Sequence, residues 1–169
     1  METRDPGSTR VGSGGVQAAT AVGRAVRMPG ARLVTRKVSA KQTGGAYSLF
    51  EVEVGPGGGE GPHVQHREDE SFYVLEGHFE LVVEGSKVEV GPGSLAYVSK
   101  GNLHAYRNAG DVTGRMLVSQ TPGGAYECFV EKVGQPVADG RIRPEEAPNA
   151  KRSAAVGTEY GLEMVPSFP

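Results

Sequence analysis

Two histidines and a carboxylate fall within one short segment near the middle of the chain, Gly61-Pro-His-Val-Gln-His-Arg-Glu-Asp-Glu70, and a further histidine, His104, lies downstream. Imidazole nitrogens and carboxylate oxygens are ligands for divalent transition metals, and two imidazoles with one carboxylate leave coordination positions open for a substrate. The sequence therefore predicts a metal centre at His63, Glu70 and His104, and the same three side chains are the candidate catalytic residues. The alternative is a pocket without metal, in which they form an acid, base and hydrogen-bond cluster.

The fourth position of this site depends on strand geometry. Residues 63 and 65 share one face of an extended strand, whereas residue 66 points to the other face. We therefore expect Gln65 to face the metal beside His63, and His66 is the reserve ligand if the strand bulges; otherwise it lies at the rim. An amide oxygen is a hard, uncharged and weak ligand, so Gln65 disfavours Cu, Ni and Zn more than Mn or Fe.

The other ionisable residues near the segment have simpler interpretations. Glu68 and Asp69 are expected to be exposed carboxylates on the approach to the next strand, and His78 to be a polar turn residue. The negative charge of Glu68 and Asp69, together with partial burial, would raise the pKa of Glu70 towards neutrality. A carboxyl group with such a pKa could exchange protons during turnover.

The elements that must position these residues are mostly strands. Alternating runs separated by glycine-rich turns are typical of a sandwich or barrel. The predicted strands are Arg32–Val38, Ala46–Val54, Ser71–Glu76, Phe79–Glu84, Lys87–Val90, Leu95–Val98, His104–Asn108 and Arg115–Gln120. Beyond them, Tyr126, Phe129, Val130 and Val133 share one helical face that should pack on the barrel edge, and a second short helix is predicted within 151–163.

Several large side chains on these strands should line or flank the barrel and bind substrate. An aromatic cavity suits a planar or polycyclic molecule, although each of these residues taken alone could equally belong to the core. The candidates are Tyr47, Phe72, Tyr97, Tyr106 and Met116.

Two glycine-punctuated motifs in this chain resemble the signature motifs of the cupin superfamily. The first is carried by His63, Glu70 and Gly77, with Gln65 where a second histidine is usual. The second is carried by Gly93, Gly101, His104 and Asn108, with Ser99 where a proline is usual. The resemblance covers about residues 44 to 133, and it is strongest to small monocupins of the quercetin 2,3-dioxygenase-like group.

This resemblance implies an all-β, double-stranded jelly-roll barrel with a short C-terminal helical extension. It also implies one divalent ion, Mn, Fe, Ni or Zn, held by His63, Gln65, Glu70 and His104. In such enzymes a flavonol binds the metal through its 3-hydroxyl, Glu70 would take the hydroxyl proton, and dioxygen cleaves the heterocycle with release of carbon monoxide. Cupins perform many reactions, so the fold does not name the reaction.

Three functions therefore stay open. The first is a metal-dependent dioxygenase or related oxidoreductase acting on a phenolic, flavonoid or polyketide-like small molecule. The second is a cyclase or isomerase that uses the same pocket for acid-base chemistry, with or without metal. The third is a non-catalytic small-molecule binding protein.

Composition bounds the remaining expectations. A chain of 169 residues suggests one domain, and we expect a flexible tail at 1–29, a barrel at 30–134 and an extension at 135–169. The single Cys128 excludes an internal disulfide, so a cytoplasmic protein is expected. Basic residues near the N-terminus are too scattered for a nucleic-acid patch, and no apolar run is long enough to span a membrane. The expected partners are a small-molecule substrate and a second copy of the chain in a homodimer.

Overall fold

The computed structural model describes residues 25–137 and 147–168, together with the backbone of two short strands near the N-terminus. Those strands are β1 (Ser8–Val11) and β2 (Gly15–Ala18), which pair with each other. The remaining strands are β3 (Ala25–Met28), β4 (Arg32–Val38), β5 (Ser48–Val54), β6 (Gly59–Gln65), β7 (Asp69–Glu76), β8 (Phe79–Val83), β9 (Ser86–Val90), β10 (Leu95–Val98), β11 (Leu103–Asn108), β12 (Gly114–Thr121), β13 (Gln135–Pro136) and β14 (Leu162–Met164). The helices are α1 (Ala125–Val133) and α2 (Ala150–Glu159).

Two antiparallel sheets face each other across one core. The larger sheet has the order β10-β7-β12-β5-β4-β3-β13, and the smaller has the order β14-β6-β11-β8-β9. Buried side chains from both sheets form a single cluster, to which helix α1 contributes Tyr126, Phe129 and Val130. The predicted all-β jelly-roll barrel with a short helical extension is confirmed.

The inner face of the larger sheet changes from apolar to polar along its strands. In the middle, Phe50, Val118 and Phe72 of β5, β12 and β7 lie opposite one another and are buried. One pleat further along, the same three strands place Ser48, Gln120 and Glu70 opposite one another, also buried. Side chains two residues apart share a face, so the polar row is stacked directly on the apolar core.

The predicted strands agree with those of the structure, and two of them, β4 and β10, have the predicted bounds. Helix α1 buries the predicted face. Helix α2 begins at Ala150, one residue before the predicted second helical segment, and ends at Glu159, after which β14 begins at Leu162. Neither helix is long and apolar enough to cross a membrane, as far as the described ranges extend.

Strand β3 lies inside the range that we assigned to a flexible tail. It pairs with β4, and its Val26 and Met28 belong to the core, with Met28 fully buried. The sequence gives no clear signal for this strand, because its four residues lie between a long segment poor in large apolar residues and a turn. The predicted tail outside β1, β2 and 25–29 lies beyond the described residues.

The C-terminal extension is also joined to the barrel. Strand β13 pairs with β3 in the larger sheet, and β14 pairs with β6 in the smaller sheet. The predicted boundary at residue 135 therefore places β13 and β14 outside the barrel, although both belong to its sheets.

Glu68 is not the exposed carboxylate that we expected. Its side chain is buried and accepts hydrogen bonds from the backbone N–H groups of Ala125 at 2.7 Å and Tyr126 at 2.9 Å. These are the first two residues of α1, where N–H groups lack partners within the helix and the helix dipole favours a negative charge. Burial raises the pKa of Glu68, and the hydrogen bonds from Tyr126 and Ala125 oppose that rise. These hydrogen bonds from Ala125 and Tyr126 to Glu68 connect the loop before β7 to the N-terminus of α1.

Candidate metal centre

The three predicted ligands meet inside the barrel. His63 on β6 lies directly opposite His104 on β11, and Glu70 reaches them from β7 in the other sheet. Their side chains are at most 2% exposed, and the ligand atoms of the three residues all lie within 4.8 Å of one another. The imidazole centroids are 4.2 Å apart. The geometry therefore confirms that these residues form one buried cluster.

Both imidazoles are oriented by the backbone two residues earlier. Nδ1 of His63 lies 2.8 Å from the carbonyl oxygen of Gly61, and Nδ1 of His104 lies 3.0 Å from that of Asn102. A carbonyl oxygen can only accept, so each Nδ1 carries the proton and donates it. In a neutral imidazole this leaves the lone pair on Nε2, which is how metal-binding histidines are commonly held.

The short distance between His104 and Glu70 requires a proton or a metal ion between them. Nε2 of His104 lies 2.8 Å from Oε2 of Glu70, and Nε2 of His63 lies 3.8 Å from the same oxygen. Two lone pairs cannot face each other at hydrogen-bond distance unless a proton or a metal ion lies between them. Among the described residues, Nε2 of His63 has no hydrogen-bond partner although it is buried. The donor set fits a divalent metal ion, which would use these lone pairs.

Glu70 is ionised, contrary to our expectation of a raised pKa. Burial favours the neutral acid, but the contact with His104 at 2.8 Å and the charges of His104 and His63 outweigh it and lower the pKa of Glu70 to about 2. Two glutamine amides also donate to this carboxylate: Gln65 to Oε2 at 2.9 Å and Gln120 to Oε1 at 2.7 Å. Glu70 is therefore an anionic ligand or a weak base near neutrality, and not an acid.

Gln65 faces the cluster, as strand alternation predicted, but through its amide nitrogen. Because that nitrogen donates to Glu70, the ligand role of the Gln65 oxygen stays a prediction. Sequence reasoning missed Gln120 altogether. Strand alternation could have indicated it. Gln120 lies two residues after Val118 and four after Met116 on β12, so all three share the inward face, and Gln120 is the polar residue among them.

A second buried polar cluster adjoins the first. The Arg32 guanidinium lies 2.8 Å from the Glu60 carboxylate and 3.2 and 3.4 Å from the hydroxyls of Tyr106 and Tyr126. Burial alone would lower the pKa of His63, but the negative charges of Glu60 and then Glu70 raise it. Arg32, Glu60 and Tyr126 were not among the predicted site residues, because nothing in the local sequence shows that they meet.

The predicted substrate-binding residues divide into two groups. Phe72 and Tyr106 lie inside the barrel, where the Phe72 ring is 6.1 Å from that of His104, and Met116 is buried in the core two pleats away from Gln120. Tyr47 and Tyr97 are 40% and 61% exposed and do not line the interior, so their predicted positions are wrong. Tyr97 points outwards because its neighbour Val98 pairs with Glu70 and takes the inward face.

The remaining polar residues lie at the surface. His66 is exposed and its Nε2 is 2.8 Å from Glu163, so the strand does not bulge to bring it into the cluster. His78 is exposed beside the turn glycine Gly77. Asp69 accepts a hydrogen bond from the backbone N–H of Lys100.

Comparison with known proteins agrees with this geometry. The family model described as Cupin domain matches residues 50–119. Quercetin 2,3-dioxygenase from Bacillus subtilis is 30% identical over 112 residues, which cover 66% of this chain and 32% of that protein. The chain thus spans about a third of the length of that relative, and 43% of an uncharacterised protein from Aquifex aeolicus that is 39% identical over 52 residues.

Solved structures show the same fold. The polyketide cyclase RemF from Streptomyces resistomycificus is 32% identical, with a TM-score of 0.50 over 57% of this chain and 70% of that chain. The cupin domain of Cnp3 from Schizosaccharomyces pombe has a TM-score of 0.55 at 15% identity, covering 78% of this chain and 97% of that chain. The match to the Cupin domain model and the 30% identity to quercetin 2,3-dioxygenase, together with the two-sheet barrel and its clustered motif residues, establish that the chain belongs to the cupin superfamily.

Proposed function

We propose that this protein is a metal-dependent enzyme that acts on a hydroxylated aromatic small molecule. The observation that carries the proposal is the orientation of the two imidazoles, whose Nδ1–H groups are held by backbone carbonyls while both Nε2 atoms face the Glu70 carboxylate. That arrangement supplies two neutral nitrogen ligands and one anionic oxygen ligand, and three protein ligands leave positions free for a substrate. His63, Glu70 and His104 would hold the ion.

When bound, such an ion supplies Lewis-acid charge that favours the deprotonated form of a substrate hydroxyl. The protein residues have separate tasks. The carboxylate of Glu70 balances the positive charge of the cluster, and Gln65 and Gln120 fix its orientation by donating to both oxygens. Phe72 presents an apolar ring next to His104, which suits an aromatic ligand. Phe72 belongs to a buried apolar row with Val118 and Phe50, so the interior beside the cluster is apolar.

The leading reaction is dioxygen-dependent cleavage or oxidation of a flavonol-like or phenolic substrate. The similarity to quercetin 2,3-dioxygenase supports it, since the match extends over 112 residues, or 66% of this chain. A cyclase or isomerase is the second candidate. It is favoured by the 32% identity to a polyketide cyclase and by the buried Glu70 carboxylate, which two amide donors orient and which could accept a proton from a carbon or oxygen acid.

Metal analysis and oxygen dependence separate these reactions. Protein purified without chelator should contain about one divalent ion per chain by elemental analysis. It should consume quercetin with uptake of dioxygen and release of carbon monoxide, and a chelator should abolish the reaction. A reaction on a polyketide-like substrate that continues without oxygen would favour the cyclase. Stoichiometric binding of phenolic ligands without any turnover would instead support the binding protein.

A matched variant tests whether the cluster is responsible. His104→Gln removes one ligand, whereas His66→Gln makes the same change at the exposed histidine that lies outside the cluster. The first variant should lose metal and turnover, and the second should keep both. Equal metal content and turnover in the two variants would exclude the proposed centre.

A further inference from the structure

A row of buried polar side chains extends from the metal centre across the larger sheet. Gln120 on β12 lies opposite Glu70 on β7 and opposite Ser48 on β5. All three belong to the inward-facing sets of their strands, and Ser48 and Gln120 have no measurable exposure. The next inward row contains only apolar residues. Polar groups are therefore concentrated in the row beside the metal centre.

The hydrogen bonds in this row leave two atoms without partners. Because Gln120 donates its amide nitrogen to Oε1 of Glu70, its own Oε1 must point elsewhere. Neither Oε1 of Gln120 nor Oγ of Ser48 has a hydrogen-bond partner within the part of the chain that the structure describes. A buried polar group left without a partner costs about 1–3 kcal/mol. Alanine at position 48 would avoid this cost, so stability alone does not account for the serine.

The two atoms are complementary as a pair. Side chains of directly opposite strand residues have Cβ atoms roughly 5 Å apart, so a single group can reach both. The Gln120 oxygen accepts a hydrogen bond, and the serine hydroxyl can donate one. A ligand hydroxyl both donates and accepts, and it would satisfy both atoms at once. Neither a carbonyl nor an apolar group would do so.

We propose that Ser48 and Gln120 form a subsite that binds a second hydroxyl group of the substrate, beside the hydroxyl that meets the metal centre. The ligand class is then narrower than a phenol: an aromatic molecule that carries at least two hydroxyls on one edge or on adjacent rings. This inference rests on the proposed function, because it takes the metal centre as the site of the first hydroxyl. Gln120 has a positioning role as well, since it also holds Glu70.

Ser48→Ala is the clean test, because Ser48 makes no side-chain hydrogen bond within the described residues that the substitution would break. Ser119→Ala is the matched control, since Ser119 lies next to Gln120 on the outward face of the same sheet. Binding is measured by calorimetry under anaerobic conditions, so that no turnover occurs. The probes are quercetin, which has several hydroxyls, and 3-hydroxyflavone, which keeps only the hydroxyl expected at the metal.

Unsubstituted protein should bind quercetin at least about 5-fold more tightly than 3-hydroxyflavone. Ser48→Ala should weaken quercetin binding by about 5- to 10-fold, the effect of one lost hydrogen bond. The binding of 3-hydroxyflavone and the metal content should not change. The melting temperature should stay the same or rise. Ser119→Ala should change none of these.

Three results would overturn the subsite. The first is a quercetin affinity in Ser48→Ala equal to that of the unsubstituted protein. The second is weakening of the binding of both flavonols by the same factor, which would indicate a general disturbance. In either case metal content and quercetin turnover in the unsubstituted protein would still support the proposed function. If the unsubstituted protein, with its metal present, binds neither flavonol, the subsite and the proposed ligand class fail together.

Discussion

Replacing Glu70 by glutamine tests the centre of the mechanism. The carboxylate accepts hydrogen bonds from Gln65 and Gln120 while almost fully buried, and its Oε2 lies 2.8 Å from Nε2 of His104. In Glu70→Gln the amide oxygen can still accept from Gln65, and Gln120 can turn its unpartnered oxygen towards the new NH2 group. The shape and the number of hydrogen bonds are then kept, and the charge is lost.

The expected loss follows from that change. A hydrogen bond to a charged group contributes about 1.5–3 kcal/mol and a neutral one about 1 kcal/mol, so two weakened bonds reduce the free energy of unfolding by about 2 kcal/mol. For a domain of this size the melting temperature should fall by about 4–8 °C. Because the anionic ligand is removed, metal affinity should fall by at least roughly tenfold, and turnover by at least roughly a hundredfold.

Differential scanning calorimetry, elemental analysis and turnover are measured together on Glu70→Gln and on Glu163→Gln. Glu163 is exposed and pairs with His66 at the rim, so its variant should match the unsubstituted protein in all three measurements. If Glu70→Gln keeps its metal and loses only turnover, Glu70 acts as a base and is not an essential ligand. A variant that keeps metal, turnover and stability would refute the reasoning.

Further outcomes follow from other parts of the fold. Gln65→His should tighten metal binding, measured by competition with a chelator, because imidazole is a stronger ligand than an amide; unchanged affinity would show that position 65 does not reach the metal. Glu68→Gln removes the charge that caps α1 and should reduce stability by about 1 kcal/mol in a denaturant titration without changing metal content. Met28→Ala should cost about 2–5 kcal/mol, since this side chain is fully buried; a change below 0.5 kcal/mol would mean that β3 is not part of the folded barrel. Light scattering should give twice the 17.7 kDa mass of the chain if the expected homodimer forms.

The sequence by itself determined eight of the strands, β4, β5 and β7 to β12, and the three residues of the central cluster. Alternation and glycine turns are local signals, and they located β4 and β10 with their observed bounds. The motif spacing identified His63, Glu70 and His104, and strand parity put Gln65 rather than His66 on their side. Each strand and each motif consists of residues close together in the chain, which is why these features could be recognised without a structure.

Alternation did not decide which face of a strand points inwards. On β10 the larger side chains, Leu95 and Tyr97, are exposed, and the smaller Ala96 and Val98 face the core. The choice is made by the register with β7, which pairs Val98 with the inward-facing Glu70. Tyr97 was therefore assigned to the wrong face.

Only the tertiary structure decided the electrostatics of the site. The pKa of Glu70 depends on donors from β6 and β11, which lie in the other sheet, and Gln120 supports it from β12, far along the chain. Glu68 is buried because the N-terminus of α1, more than fifty residues later, supplies two N–H groups to its charge. Hydrogen bonds and charges act over a few ångströms in space, whereas local sequence patterns report only on neighbours in the chain, so these properties appear only once the strands and helix are packed together.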